Sequence, residues 1–222
     1  PMTVGQEFNG WAHTLREDQA RTREVMVGLR EINLGATAIG TGITADPSYA
    51  EAVRSELSKL IGMDLVTSPD LIEATSDTGV FMSLSGTLKR AAVKLSKICN
   101  DLRLLSSGPQ AGLRELILPP RQAGSSIMPG KVNPVIPEVV NQVAFMIIGA
   151  DATVTAAAEG GQLQLNAFEP IMAHSLLQSV AWLANACFTL RVNCVEGIEV
   201  DRQRLALEVG ARDGVGTAHI PN

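Results

Sequence analysis

The chain contains 222 residues, and its 18 Lys and Arg residues against 23 Asp and Glu residues give a formal net charge of −5. This length is enough for one sizeable domain with its own hydrophobic core. Because the net charge is negative and no run of like charges occurs, we expect neither nucleic acid nor a membrane surface as a partner. An anionic substrate would therefore have to be bound by local groups.

The cysteine content indicates a reducing compartment. The three cysteines are Cys99, Cys187 and Cys194. Their number is odd and their spacing matches no metal-binding pattern, so we expect them to be reduced and buried, without a disulfide framework. The start of the chain lacks the charged and apolar regions of a signal peptide, which favours a cytoplasmic location.

The most apolar stretch, residues 135–158, is not predicted to span a membrane. It contains polar or charged side chains at Glu138, Asn141, Gln142 and Asp151. A membrane-spanning helix needs a long stretch that is predominantly apolar and carries few or no charges.

Taken in chain order, the first predicted element is a helix over residues 3–29. Its solvent-exposed side is expected to carry Glu17, Asp18, Arg21 and Arg23. A connection rich in Gly and Thr, residues 33–47, follows this helix. The Gly-Thr-Gly sequence within it is not a dinucleotide-binding fingerprint, because no strand is predicted before it.

A second long helix is predicted to begin near residues 68–70, whose short polar side chains suit an N-cap. It is predicted to end at about Ser107, before a Gly-Pro pair. Its apolar residues recur at alternating spacings of four and three, which is typical of helices packed nearly parallel in a bundle. They are Leu84, Leu88, Ala91, Leu95, Ile98, Leu102 and Leu105.

Two later stretches carry the same alternation, and no segment shows the two-residue period of a strand. Aromatic residues make up only 4% of the chain, which also disfavours a β-sandwich. The predicted fold is therefore an all-α bundle of long helices with little or no strand, in which these stripes form the core. The two stripes are Val140, Val143, Ile147, Ala150, Val154 and Ala157, then Leu176, Val180, Leu183, Cys187, Leu190 and Cys194.

The connection over residues 119–137 carries the most unusual chemistry. Within it lies the sequence GSSIMPGKVN, residues 124–133. Its glycines free the backbone to present N–H groups, and its two adjacent serines supply hydroxyls. Lys131 adds a positive charge and Asn133 an amide that can donate and accept hydrogen bonds. Together these groups could form an anion pocket with a nucleophile or base at one edge.

The same residues also have plain structural explanations. Gly-Ser-Ser is a common flexible linker, and Lys-x-Asn-Pro is an ordinary way to begin a helix. A serine-protease triad is disfavoured, because the three histidines, His13, His174 and His219, are scattered along the chain. Composition alone leaves both a catalytic loop and a linker open.

The loop resembles the G-S-S-x-M-P-x-K-x-N signature of the fumarase/aspartase superfamily, which is a long and specific motif. Five other stretches look like aspartate ammonia-lyases, so the resemblance covers roughly residues 1–200. Within the superfamily, residues 36–42, 73–77 and 162–166 look like aspartases rather than fumarases. The five stretches are PMTVGQEF, NLGATAIGTGI, DLIEATSDTG, KLSKICNDLRLLSSGP and EGGQLQLN.

This resemblance implies a lyase that eliminates ammonia from L-aspartate to give fumarate through an aci-carboxylate intermediate. Ser125 would be the catalytic base, and Ser126, Lys131 and Asn133 would bind the substrate. Such a base needs its pKa strongly lowered by N–H groups and nearby charge. The resemblance implies no cofactor and no metal. A flexible loop, hinged at its two glycines, would comprise Gly124, Ile127, Met128, Pro129 and Gly130.

The resemblance also implies a partial central helical domain over residues 1–209 and a divergent tail over residues 210–222. The N-terminal and C-terminal domains of the family are not part of the chain. In this family three subunits of a cytoplasmic homotetramer build each active site, so we expect self-association and a small dicarboxylate or amino-acid substrate.

Three alternatives are still open, and so is the activity of the chain by itself. The first is fumarate hydratase, the second is another superfamily lyase such as argininosuccinate lyase, and the third is a non-catalytic helical assembly remnant.

Overall fold

The computed structural model describes residues 2–124, 127–128 and 130–210. Within these residues the chain forms seven α-helices, one short 3-10 turn and strands of only two residues each. The predicted all-α fold with little strand is confirmed. The helices are α1 (Val4–Gly28), α2 (Tyr49–Ile61), α3 (Glu73–Ser76), α4 (Gly79–Leu105), α5 (Val135–Glu159), α6 (Glu169–Asn193) and α7 (Arg202–Gly210).

The strands form two separate pairs. Strand β1 (Glu31–Ile32) lies parallel to β2 (Val66–Thr67), with Glu31 opposite Val66. Strand β3 (Leu116–Ile117) lies antiparallel to β4 (Glu199–Val200), with Leu116 opposite Val200. Because each pair is so short, the strands tie connections together and do not form a layer of the fold.

The chain divides into two compact units. Of the described residues, those within 2–16, 91–146 and 181–210 form the first unit, and residues 17–90 and 147–180 form the second. The long helices α1, α4, α5 and α6 each contribute a segment to both units.

The core of the first unit is built from one face of each of its long helices. Fully burying a large apolar side chain stabilises a fold by about 1.5–3 kcal/mol, so this cluster dominates the stability of the unit. Phe8 of α1 packs against this cluster, and its ring is tilted by 53° to that of Trp11, with ring centroids 4.8 Å apart. The buried members are Trp11, Leu95, Ile98, Cys99, Leu102, Leu116, Val140, Ala186, Leu190 and Cys194.

In the second unit, α1 carries a buried carboxylate that the sequence pattern placed in solvent. Asp18 is only 5% exposed, and its Oδ1 lies 3.1 Å from Nε of Arg90 on α4. The prediction of a solvent-exposed Asp18 is therefore wrong. A carboxylate can be buried in this way only when a cation compensates its lost hydration.

The long helix α4 begins later than predicted, at Gly79 instead of residues 68–70. The carboxylate of Asp70 accepts the N–H groups of Ile72 and Glu73 at 2.9 and 3.2 Å, and so it caps the short α3. Asp77 then adopts an extended backbone and accepts the N–H of Gly79 at 3.0 Å. Two acidic cap residues in succession therefore split the predicted helix.

The apolar stripe of α5 faces the core as predicted, with only Val143 and Ala150 partly buried. The stripe of α6 is confirmed in part, since Leu176, Leu190 and Cys194 are buried. Val180 and Cys187 are exposed, whereas Met172 and Ala186 are buried. The prediction of three buried cysteines is thus wrong for Cys187 and confirmed for Cys99 and Cys194. Helix α6 carries apolar residues on more than one face, so its sequence alone does not determine which of these faces is buried.

Helix α5, and α6 with the turn that follows it, are long and apolar enough to cross a membrane by length and composition. The buried polar contacts of α5 are those of a core helix. In the first unit, Asn141 donates to the backbone oxygen of Ser96 at 3.0 Å. In the second unit, Asp151 pairs with Lys89. Buried polar groups with protein partners are common in protein cores and costly against lipid.

Candidate functional site

The signature loop belongs to the first unit, between β3 and α5. Ser125, Ser126 and Pro129 lie outside the described residues, so the predicted base and one predicted ligand stay predictions. The residues of the loop that the structure describes are Gly124, Ile127, Met128, Gly130, Lys131, Val132 and Asn133.

The two arms of the loop meet in a short paired segment, residues 123–124 and 131–132, which we call the loop neck. Ala123 and Val132 form an antiparallel bridge. Beside it, the N–H of Gly124 donates to the carbonyl oxygen of Lys131 at 2.7 Å. The neck therefore fixes Lys131 relative to the residue that directly precedes the two serines.

Gly124 allows this close approach because it has no side chain. A Cβ at this position would lie 2.7 Å from the carbonyl oxygen of Lys131 and 2.9 Å from its carbonyl carbon. Both distances are shorter than real Cβ contacts, so any larger residue would push the arms apart. Its role as a hinge stays a prediction.

The opposite end of the loop makes a tight turn. Gly130 has a φ of +80° in the left-handed region, which favours glycine. The following N–H, that of Lys131, donates to the carbonyl oxygen of Met128 at 3.2 Å. Ile127 is 88% exposed and Met128 is also exposed, so neither side chain packs into the core.

Lys131 and Asn133 are the two predicted ligands that the structure describes. Lys131 is exposed, and no described carboxylate lies within ion-pair distance of its ammonium. Asn133 is half-buried, and its backbone oxygen accepts the N–H of Val135 at 2.8 Å, where α5 begins. The partial positive charge of a helix N-terminus thus lies directly after the loop, which favours an anionic ligand.

The arm that leads into the loop, residues 116–124, runs along the segment that follows α6. Its β3 residues pair with β4, as described above. The ring of Pro119 packs on Gly197, where a Cβ would lie 3.1 Å from the proline Cγ. Arg121 then donates from Nε to the carbonyl oxygen of Asn193 at 2.9 Å and from Nη2 to that of Val192 at 3.3 Å. Sequence reasoning missed Arg121, because its partners are backbone atoms that no side-chain pattern reports.

The buried thiols of this unit do not offer an alternative nucleophile. The pKa of Cys99 is raised to about 12, mainly by burial and to a smaller extent by Cys194 and Cys187, while Arg103 lowers it slightly. Burial likewise raises the pKa of Cys194 to about 11. A thiol with such a pKa is protonated at neutral pH and is therefore a weak nucleophile.

The second unit contains a cavity of about 540 Å³, but its chemistry does not suit an anion. Glu31, Glu73, Asp77 and Glu169 line it, and no lysine or arginine does. Carboxylates at this density repel a dicarboxylate substrate. The geometry therefore favours the loop of the first unit as the candidate site.

The stretch EGGQLQLN, which also resembles aspartate ammonia-lyases, ends at Asn166, a buried residue of the second unit. Asn166 donates from Nδ2 to the carbonyl oxygen of Ala157 at 3.0 Å, at the end of α5. Its Oδ1 accepts the N–H of Phe168 at 2.8 Å, at the start of α6. One amide thus satisfies backbone groups at two helix ends, which otherwise lack partners.

Among residues 2–124, 127–128 and 130–210, no group of three or more His, Cys, Asp or Glu side chains could hold a metal ion. The absence of a metal and of a cofactor in the mechanism stays a prediction, because the serines of the loop lie outside these residues.

In a comparison with protein families, residues 1–149 match a family described as lyase. The chain is 61% identical over 198 residues to an aspartate ammonia-lyase of Corynebacterium glutamicum, which covers 89% of this chain and 38% of that protein. It is 56% identical over 222 residues to an aspartate ammonia-lyase of Pseudomonas aeruginosa, covering 100% of this chain and 47% of that protein. The chain thus spans less than half the length of these relatives.

Two solved structures are similar over nearly the whole chain. A fumarate lyase:delta crystallin from Brucella melitensis bound to cobalt has a TM-score of 0.92 and 57% identity, covering 94% of this chain and 45% of that one. A class II fumarase from Schistosoma mansoni has a TM-score of 0.91 and 31% identity, covering 94% of this chain and 47% of that one. The helical arrangement is therefore shared more widely than the sequence.

Proposed function

The chain belongs to the lyase family, and from this premise we propose that the protein carrying it is an ammonia-lyase that converts L-aspartate to fumarate. The main support for the proposal is the geometry of the signature loop. Its neck holds Lys131 beside Gly124, the residue that directly precedes Ser125. Relatives named aspartate ammonia-lyase support this substrate at 56% and 61% identity. The fumarase match is only 31% identical, which makes fumarate hydratase the weaker candidate.

In the proposed reaction, Ser125 removes the proton beside one carboxylate of aspartate. The electron pair forms an aci-carboxylate, and ammonia leaves from the neighbouring carbon as the double bond of fumarate forms. The proton is weakly acidic, so most of the barrier lies in stabilising the negative charge of this intermediate. Ser125 itself must be deprotonated, which requires donors and positive charge around its oxygen.

Lys131 and Asn133, together with Ser126, supply part of that stabilisation in our proposal. Lys131 brings a full charge that no described carboxylate neutralises. Asn133 stands two residues before the first residue of α5, so a bound carboxylate near it also meets the positive end of the helix dipole. These local groups overcome the net charge of −5, which by itself repels a dicarboxylate.

We further propose that the protein is a cytoplasmic homotetramer and that residues 1–209 form its central domain. Each unit leaves large apolar side chains exposed on its long helices. Phe145 and Phe188 are exposed in the first unit, and Leu177 and Val180 in the second. Surfaces of this kind are typical of subunit interfaces. Size-exclusion chromatography with light scattering on the full-length protein tests the proposed oligomeric state. A monomer at all protein concentrations would contradict the tetramer.

The substrate is tested with the protein expressed at the full length of its relatives and, in parallel, with this chain alone. Fumarate formed from L-aspartate and from L-malate is followed by its absorbance. We expect the full-length protein to act on aspartate and not on malate. Turnover of malate would favour fumarate hydratase instead. Turnover of neither substrate by either protein would favour the non-catalytic remnant.

A further inference from the structure

The arm that enters the signature loop is attached to the segment after α6 at three successive levels. Leu116 and Ile117 pair with β4, Pro119 packs on Gly197, and Arg121 bonds to the end of α6. As the arm proceeds from Leu116 to Arg121, its contacts therefore move backwards along the chain from residue 200 to residue 192. Arg121 makes the last of these contacts before the loop neck begins at Ala123.

The contact made by Arg121 is favourable on general physical grounds. The last carbonyl groups of an α-helix have no partner within the helix and carry partial negative charge. The guanidinium donates to two of these carbonyls, those of Val192 and Asn193, at 3.3 and 2.9 Å. Two parallel donors fix both the position and the direction of the side chain, which a single donor does not.

Resting on the proposed function, we propose that Arg121 is a positioning residue that holds the loop neck, and through it Lys131 and Asn133, in the geometry that binds the substrate carboxylates. Arg121 need not touch the substrate. It fixes the first arm against α6, and the bridge of Ala123 to Val132 and the Gly124 hydrogen bond carry that position to the second arm.

Packing around the second arm supports this coupling. Arg121, Asn133, Pro134 and Asn193 line one narrow crevice of about 10 Å³, which is barely large enough for one water molecule. Arg121 and Asn133 thus line the same crevice, so we expect a displacement of the arm that carries Arg121 to change the surroundings of Asn133. Loss of the Arg121 contact therefore alters the site without removing any substrate ligand.

The test uses Arg121→Met in the full-length protein. Misplacing binding groups by about 1 Å costs up to a hundredfold in activity, so we expect kcat/KM for aspartate to fall about tenfold or more. The fall should include a higher KM, because Lys131 and Asn133 bind the substrate carboxylates before the reaction, and also a lower kcat, because they stabilise the intermediate. Arg121→Lys, which keeps the charge but has a single donating nitrogen in place of the planar guanidinium, should recover part of the loss.

Arg204→Met is a matched control. Arg204 on α7 also donates from Nε and Nη2 to two consecutive carbonyls, those of Leu113 and Gly112, at 3.0 and 3.3 Å. Its partners lie outside the arm and the loop. We expect this variant to lose similar thermal stability while keeping the KM of the wild-type protein.

Hydrogen–deuterium exchange separates this inference from the identity of the reaction. In Arg121→Met, exchange of the Gly124 amide, which donates to the carbonyl oxygen of Lys131, should rise about tenfold or more, while exchange over residues 111–114 should not change. Arg204→Met should show the reverse. If the wild-type protein fails to convert aspartate, the proposed function fails and the exchange result still stands.

Equal KM and equal exchange of the Gly124 amide in Arg121→Met and Arg204→Met would overturn the proposal. If Arg121→Met does not fold, Arg121→Gln allows the same comparison, since it keeps a polar group but loses the charge and the second donor. Wild-type KM and exchange in a folded Arg121→Gln would likewise overturn it.

Discussion

Substitution of Gly124 by alanine perturbs the loop neck with a single methyl group. The added Cβ would lie 2.7 Å from the carbonyl oxygen of Lys131, 2.9 Å from its carbonyl carbon and 2.7 Å from its Cγ. The Cγ can move aside because it belongs to a flexible side chain. The two backbone atoms can move only if the arms separate, which also breaks the 2.7 Å hydrogen bond between Gly124 and Lys131.

The size of the effect follows from these two contributions. Losing one backbone hydrogen bond costs about 0.5–1.5 kcal/mol. Forcing an extra methyl group into a packed contact costs about 1–3 kcal/mol, and an exposed neck that can open lies near the lower end of that range. We therefore expect Gly124→Ala to lower the free energy of unfolding by about 1–3 kcal/mol. For a chain of this size each kcal/mol corresponds to about 2–4 °C in Tm.

Activity should fall further than this loss of stability explains, because Lys131 moves away from its binding position. We expect kcat/KM for aspartate in the full-length protein to drop about ten- to a hundredfold. Gly10→Ala is the control, since Gly10 lies within α1 and a Cβ there meets no atom within 4 Å. That change should raise stability by up to about 1 kcal/mol and leave activity unchanged. Wild-type Tm and kcat/KM in Gly124→Ala would refute the reasoning.

Three other predictions concern the helices that support the loop, and each is measured by urea unfolding. Asn141→Ala removes a buried amide donor and should cost about 1–3 kcal/mol, whereas its exposed neighbour Gln142→Ala should stay within about 0.5 kcal/mol of the wild type. Asn166→Ala should lower the free energy of unfolding by a similar amount, about 1–3 kcal/mol, and the exposed Gln164→Ala is its control. If Asn141→Ala is as stable as Gln142→Ala, or Asn166→Ala as stable as Gln164→Ala, the corresponding prediction is wrong. For Cys99, the pKa of the folded thiol is raised from 9.0 to about 12, so the folded state retains a proton that the unfolded chain loses. Its contribution to stability is complete below pH 9.0 and is lost as pH rises toward about 12. Cys99→Ala should therefore show a shallower decline in this pH window, and an unchanged slope would contradict the cause assigned to the shift.

The sequence pattern was sufficient for the extent of α1 and for the buried face of α5. Helix α1 was predicted over residues 3–29 and observed over Val4–Gly28. On α5 the predicted stripe from Val140 to Ala157 faces the core, although Phe145 and Met146 of the same helix are exposed. Alternating spacings of three and four thus identify the buried face of α5. The pattern failed for α6, where Leu177 and Phe188 are as apolar as the buried residues but are exposed.

Contacts between residues far apart in sequence account for the other errors. Asp18 was predicted in solvent because it is charged, and its burial depends on partners such as the guanidinium of Arg90 on another helix. The start of α4 was misplaced because Asp70 and Asp77 are equally good caps, and the chain uses both. Periodicity describes one element at a time, so it cannot report a partner on another helix or choose between two caps.

In the candidate site too, some residues could be predicted from the sequence and others could not. The loop, Lys131 and Asn133 were found from the motif, because their residue types carry the chemistry. The close approach at Gly124 and the anchoring of Arg121 on α6 were not found, since both depend on backbone atoms of distant segments. A motif names the groups that react, and the fold supplies the groups that hold them in place.

The most direct test of the central claim is the rate of fumarate formation from L-aspartate by the full-length protein and by its Ser125→Ala variant at equal concentration. Ser83→Ala, in an exposed position of α4, is the control. With Ser125 as the base, the wild-type and Ser83→Ala proteins should form fumarate at the same rate. The Ser125→Ala protein should form essentially none while keeping the same Tm. Wild-type turnover by Ser125→Ala would contradict the assignment of the base.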